Sequence, residues 1–211
     1  MRKILLFSLI IFTGLISRAQ YAGYTLMPEL TDFKTSFSAA AKKTISIKSD
    51  FVQEKNLSML SEKITSKGKF WFKKDNQVRM EYSTPFQYLL VINKDKVFIK
   101  DGQKQNTINT KSNKLFQQIN KITVDCVQGN ITDNPDFKIR VFESKGGFLV
   151  ELTPISKGLK DFFKTINVIV DKKDYAVAGI EMNENSGDNT VIRFSNKEMN
   201  TNIPDALFAI K

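Results

Sequence analysis

From Thr44 to the end of the chain, apolar and polar residues mostly alternate with a period of two; one helical stripe precedes them. Leu30, Phe33, Phe37, Ala40 and Ala41 recur at i, i+3, i+7, i+10 and i+11. That spacing predicts an amphipathic helix ending near Lys43, with Pro28 suited to its first turn. Before it, "YAGYTLMPE" reads as an irregular lead-in. "TISIKSDFVQE" then puts Ile45, Ile47 and Phe51 on one side of a strand, with lysine and aspartate on the other. Further strands are predicted at "ITSKGKFWFKK", "QVRMEYS", "FQYLLVINK", "KVFIKD", "DFKIRVFES", "FLVELTP", "FFKTINVIVDK", "YAVAGIEMNE" and "TVIRFSNKEMN". Turn-rich separators divide them, among them Lys74-Asp75-Asn76, Ser83-Thr84-Pro85 and Asn185-Ser186-Gly187-Asp188. Connections this short join antiparallel neighbours, because parallel pairing needs long crossovers. A second helix is predicted at "SNKLFQQINKI", with Ser112 as N-cap and Leu115, Ile119 and Ile122 on one side. "TVDCVQGN" fits a strand or another helical turn, and "IPDALFAIK" a short turn or 3₁₀ piece. The sum is one α+β domain of about ten antiparallel strands and two or three helices. A sheet that wide curls, splits or closes, and a curled sheet with helices over its concave face satisfies the two-layer rule.

Parity sorts the aromatic-rich stretch "GKFWFKKDNQVRMEY". Phe70, Phe72 and Lys74 share one face, and Lys69, Trp71 and Lys73 the other. Across the turn Val78, Met80 and Tyr82 lie together, opposite Gln77, Arg79 and Glu81. The inward set is therefore Phe70, Phe72, Val78, Met80 and Tyr82. Trp71 falls on the lysine face, where lysine stems can cover its ring.

The N-terminus changes the compartment. Arg2 and Lys3 precede the apolar run Ile4 to Ile16, which is too short to span a bilayer, and Ser17-Arg18-Ala19 places small residues at −3 and −1 of a signal-peptidase site. Residues 1–19 are read as a signal peptide cleaved near Ala19/Gln20, and residues 20–211 as a single domain of an exported, soluble protein. No cysteine lies near the cleavage site to carry a lipid. Removing nineteen of 211 residues leaves 192 and takes away three basic residues, lowering the net charge from +10 to +7. The lysines are scattered in ones and twos, as on a solvated basic surface, and export argues against a nucleic-acid partner.

Candidate chemistry is thin. With no histidine and one cysteine, the common zinc sites and the Ser-His-Asp and Cys-His constellations are excluded. Cys126, among apolar neighbours, reads as a small buried hydrophobe. Asp50, Glu54 and Glu81 sit on strands near aromatics, but carboxylates spaced among lysines are usually surface ion pairs. No cofactor or metal is expected, and the chain reads as a non-enzyme. What stands out is seventeen phenylalanines, fifteen of them after the signal. They make either a phenylalanine-rich core or a cavity for a hydrophobic ligand, and periodicity alone does not separate the two.

The stretch "GKFWFKKDNQVRMEYSTPFQYLLVINKDKVFIKD" resembles the LolA-type periplasmic outer-membrane lipoprotein carriers at Gly68, Trp71, Lys73, Arg79, Glu81, Tyr82 and Pro85. Phe51 and Gln53 in "SDFVQEK" are similar to that family's first strand, and "IPDALFAI" to its ending. The resemblance implies an incomplete β-barrel of about eleven strands, with a helical lid over a hydrophobic cavity. Phe70, Phe72, Val78, Met80, Tyr82 and Leu90 would line that cavity. It also implies acylated lipoproteins as cargo, an inner-membrane ABC-type lipoprotein-releasing complex as donor and an outer-membrane acceptor, with the carrier working as a monomer. The alternative keeps the fold and changes the cargo to another lipid or hydrophobic molecule. Two positions depart from the family pattern. The arginine that ties lid to barrel is here Lys74, which has the charge without the planar fork and is expected to contact the lid. The tryptophan of the next strand is here Met80, a more adaptable wall.

Overall fold

The computed structural model describes residues 21–109 and 128–210, together with Ile122, Asp125 and Cys126. The apolar N-terminal run and the helix expected around Leu115 lie outside the described residues. Twelve strands form one antiparallel sheet: β1 (Thr25–Leu26), β2 (Ser46–Leu57), β3 (Glu62–Lys73), β4 (Gln77–Thr84), β5 (Tyr88–Asn93), β6 (Lys96–Asp101), β7 (Lys104–Asn109), β8 (Phe137–Glu143), β9 (Gly147–Pro154), β10 (Phe163–Asp171), β11 (Val177–Glu184) and β12 (Asn189–Met199). Helix α1 (Thr31–Lys43) precedes β2, and the single turn α2 (Lys157–Lys160) joins β9 to β10. The strand order is β1-β8-β9-β10-β11-β12-β2-β3-β4-β5-β6-β7, so the sheet is open, with β1 and β7 at its edges.

The alternation pattern finds ten of these strands. It misses β7, whose sequence "KQNTIN" carries no apolar alternation, and β1, a two-residue pairing of the lead-in with Glu143 and Phe142. "TVDCVQGN" is helical at Asp125, Cys126 and Gln128, and Gly129 turns the chain out of it. Helix α1 follows its stripe, burying Phe33, Phe37 and Ala41.

The buried residues form two large clusters on the inner face and a small one outside. The first joins α1 to β8–β11 through residues such as Phe33, Phe37, Phe148, Leu152 and Val168. The second joins β2–β6 and β12 through Phe51, Phe70, Phe72, Val78, Ile92 and Ile192. Met182 packs against both. Six strand intervals separate β10 from β5, about 29 Å if the sheet were flat. Residues of both strands nonetheless line one cavity, so the sheet is bent back on itself.

Gly68 lies beside the irregularity in the β3–β4 register. A Cβ there would stand 2.1 Å from the Glu81 carbonyl oxygen and 2.8 Å from the Phe51 ring, so the ring occupies the place of the missing side chain. The third cluster lies on the outer face. Ile203 and Phe208, from the C-terminal segment and its 3₁₀ turn Asp205–Phe208, pack on Val91, with Trp71, Leu89 and Phe98 around them. Arg79 donates to the Leu207 carbonyl at 3.1 Å and Asn93 to the Phe208 carbonyl at 3.0 Å. Lys73 donates to the Ile203 carbonyl at 3.2 Å and pairs with Asp205. Trp71 is thus covered by this strap, with the Arg79 guanidinium 5.8 Å from its ring centre, and not by lysine stems alone.

Candidate functional site

The concave face encloses an apolar cavity of about 140 Å³ between the two large clusters. One wall comes from Phe70 on β3, Val78 and Met80 on β4, and Leu90 on β5. These are inward by the parity of the sequence, and the register aligns them: Phe70 pairs with Met80, and Met80 with Leu90. Phe72 is 2 % exposed and sits in the core behind this wall, not on the cavity surface. Tyr82 lies at the cluster's periphery. Its hydroxyl donates to Gln53 at 3.0 Å, its ring meets Phe51 edge-on at 4.8 Å, and burial pushes its pKa up to about 12.

Lys74 does not share their position. Strand β3 ends at Lys73, and Lys74 is an exposed turn residue whose backbone N–H donates to the Ile45 carbonyl at 2.9 Å. Parity holds only while the strand continues, so extending it to Lys74 misplaced that side chain. The helix it was expected to contact lies outside the described residues.

The opposite wall is built from residues that the sequence does not single out. Phe163 and Ile166 on β10, Ile180 and Met182 on β11, and Ile192 and Phe194 on β12 all line the cavity. Their register is direct: Ile166 pairs with Met182, and Ile180 with Ile192. The same period-two rule applied to these strands marks them as inward; what it lacks is any signal that two halves of the sheet face each other. Ile122 and Cys126 close the space from the helical side. Cys126 is 3 % exposed, and burial pushes its thiol pKa well up, which keeps it unreactive.

The three carboxylates near aromatics are on the outer face in ion pairs. Glu54 meets Lys63 at 2.8 Å and Arg193 at 3.2 Å, and these two cations hold its carboxyl below the usual range. Glu81 meets Arg79 at 2.7 Å, and Asp50 lies 3.9 Å from the Lys69 ammonium and accepts from the Asn196 amide at 2.8 Å. Among the described residues no group of three histidine, cysteine or acidic side chains is placed to hold a metal ion. Nor is any helix among them long and apolar enough to cross a membrane.

A sheet bent around an apolar cavity defines a binding protein for a hydrophobic guest. The model of the LolA family, outer membrane lipoprotein carrier protein, matches residues 42–211, and the chain belongs to that family. It is a family of carriers, not of catalysts. No curated protein sequence matches the chain. Among solved structures, an uncharacterized conserved protein from Thermus thermophilus is similar in fold, with a TM-score of 0.50 at 11 % identity over 85 % of this chain and 93 % of that one. A LolA superfamily protein from Nitrosomonas europaea gives 0.45 at 12 % identity, over 84 % and 97 % of the two chains. LprF from Mycobacterium bovis gives 0.39 at 14 % identity, over 85 % and 98 %.

Proposed function

We propose that the protein is a periplasmic carrier that shields the acyl chains of lipoproteins on their way from the inner to the outer membrane. It would receive them from an ABC-type releasing complex and pass them to an outer-membrane acceptor. The observation that carries the reading is the apolar cavity at the centre of a chain that belongs to the lipoprotein-carrier family. The physical need is large, because burying acyl chain is worth about 0.8 kcal/mol per CH₂, or on the order of 12 kcal/mol for a sixteen-carbon chain. In this reading the chains lie against Phe70, Val78, Met80 and Leu90, with Phe72 and Tyr82 behind them. Lys74 remains the candidate contact for a covering segment, and transfer unaffected by Lys74→Leu rejects that role.

A second reading, a smaller hydrophobic molecule as cargo, is favoured by the volume. A cavity of about 140 Å³ is of the size that takes benzene, so a whole acyl chain requires the walls to part. Mass spectrometry of material co-purified from the native periplasm separates the two. Depletion of the protein is expected to leave lipoproteins in the inner membrane; if no lipoprotein changes location, the lipoprotein reading fails while the binding fold stands.

A further inference from the structure

Two polar side chains line a cavity whose other described walls are Ile, Val, Leu, Met, Phe and a cysteine: Ser49 and Lys197. Ser49 is on β2, at the inward position between Ile47 and Phe51. It is 3 % exposed, and its hydroxyl has no hydrogen-bond partner among the described residues. Buried hydroxyls are nearly always partnered, and a small apolar residue would fill this position without loss. The unpartnered hydroxyl therefore points to a partner that arrives with the guest.

Lys197 reaches the same place by a backbone irregularity. In the β12–β2 ladder Ser195 pairs with Asp50 and Glu198 with Lys48, so Asn196 and Lys197 together stand opposite the single residue Ser49. Two residues facing one is a β-bulge, a device that re-aims a side chain. Asn196 takes the left-handed conformation the bulge needs, at φ 53°, and its amide is anchored to Asp50 at 2.8 Å. The bulge turns Lys197 onto the cavity, leaving its side chain 15 % exposed. Its ammonium lies 3.3 Å from Asp174 and 4.0 Å from Asp171, in and beside the β10–β11 connection. Those carboxylates balance its charge on one side, and its three donors leave capacity toward the cavity.

We propose that Ser49 and Lys197 form a polar station that hydrogen-bonds an oxygen acceptor on the guest, the carbonyl group of an acyl compound. Bare hydrocarbons would offer the station nothing. This rests on the carrier reading and sharpens it. The guest is held by its chain in the apolar space and set in register by its acyl oxygen at Ser49.

The test compares a lauroyl ester, lauric acid and an alkane of equal length, each displacing a fluorescent apolar probe from the purified protein. Ser49→Ala is expected to weaken the ester about three- to tenfold, the range of one neutral hydrogen bond, to weaken the acid at least as much, and to leave the alkane unchanged. The same substitution should leave the thermal midpoint of the empty protein unchanged or raised, because the hydroxyl it removes has no partner. Lys197→Gln should weaken the acid, bound as laurate, more than the ester, and binding of both left unchanged would remove Lys197 from the station. If the unsubstituted protein takes up all three ligands and Ser49→Ala leaves the ester-to-alkane ratio as it was, the polar station is overturned and the carrier reading survives. If the unsubstituted protein takes up none of them, both are overturned.

Discussion

Replacing Val78 on β4 and Val177 on β11 by isoleucine adds one methylene to each of two cavity walls while keeping the β-branched shape that strands favour. An apolar void weakens a fold by about 24 cal/mol per Å³, so one of about 140 Å³ forgoes roughly 3 kcal/mol. Two methylenes at about 0.8 kcal/mol each recover roughly half of that. For a domain of this size the thermal midpoint should rise by roughly 3–6 °C, with a matching rise in the urea midpoint and no change in slope. The same pair of substitutions should weaken uptake of a fluorescent acyl probe, because the volume they fill is the volume the guest needs. A fall in the midpoint would show that the walls have no room and refute the reasoning. A rise in stability with undiminished probe binding would place the guest elsewhere.

Two further perturbations address the scaffold. Gly68→Ala forces a Cβ to within 2.1 Å of the Glu81 carbonyl and 2.8 Å of the Phe51 ring. A loss of about 1–3 kcal/mol or more is expected by urea unfolding, and a change below about half a kcal/mol, the usual scatter of surface substitutions, would contradict the close approach described. Tyr82 holds its proton more firmly folded than unfolded, at about 12 against 10.0, because burial disfavours the phenolate. Its share of stability is therefore intact below pH 10, declines as the pH rises from 10 to 12 and is gone above that. At about 1.4 kcal/mol per unit the total is roughly 2–3 kcal/mol. Urea midpoints followed across that window should fall less steeply in Tyr82→Phe than in the parent, and equal slopes would reject the burial argument.

Most of the sheet is legible from alternation, because burial of one face imposes the period of two on each strand separately. Phe70, Val78 and Met80 follow from parity within a single hairpin. The second wall, with Ile166, Met182 and Ile192, has the same local signature, but its facing the first wall depends on curl accumulated over many strands. Lys74 is misplaced by parity because parity says nothing about where a strand stops. The strap over Trp71 is equally invisible: Ile203 and Phe208 lie over a hundred residues away in sequence, and "IPDALFAIK" shows its 3₁₀ turn without showing what it lies on. The bulge at Asn196 and Lys197 leaves only a slight trace, an asparagine able to take positive φ inside an otherwise regular strand.

The strap also governs where the protein can yield. Ile203 and Phe208 brace β5 from outside, and Lys73, Arg79 and Asn93 tie the chain around them to β3, β4 and β5. That wall is sandwiched between two packed layers and is stiff. In the carrier reading, a guest larger than the resting space pushes away from that wall, toward β10–β12, where Phe163, Ile180 and Met182 line the cavity. What the C-terminal segment supplies, in that reading, is a fixed back plate, and with it the direction in which the cavity would widen.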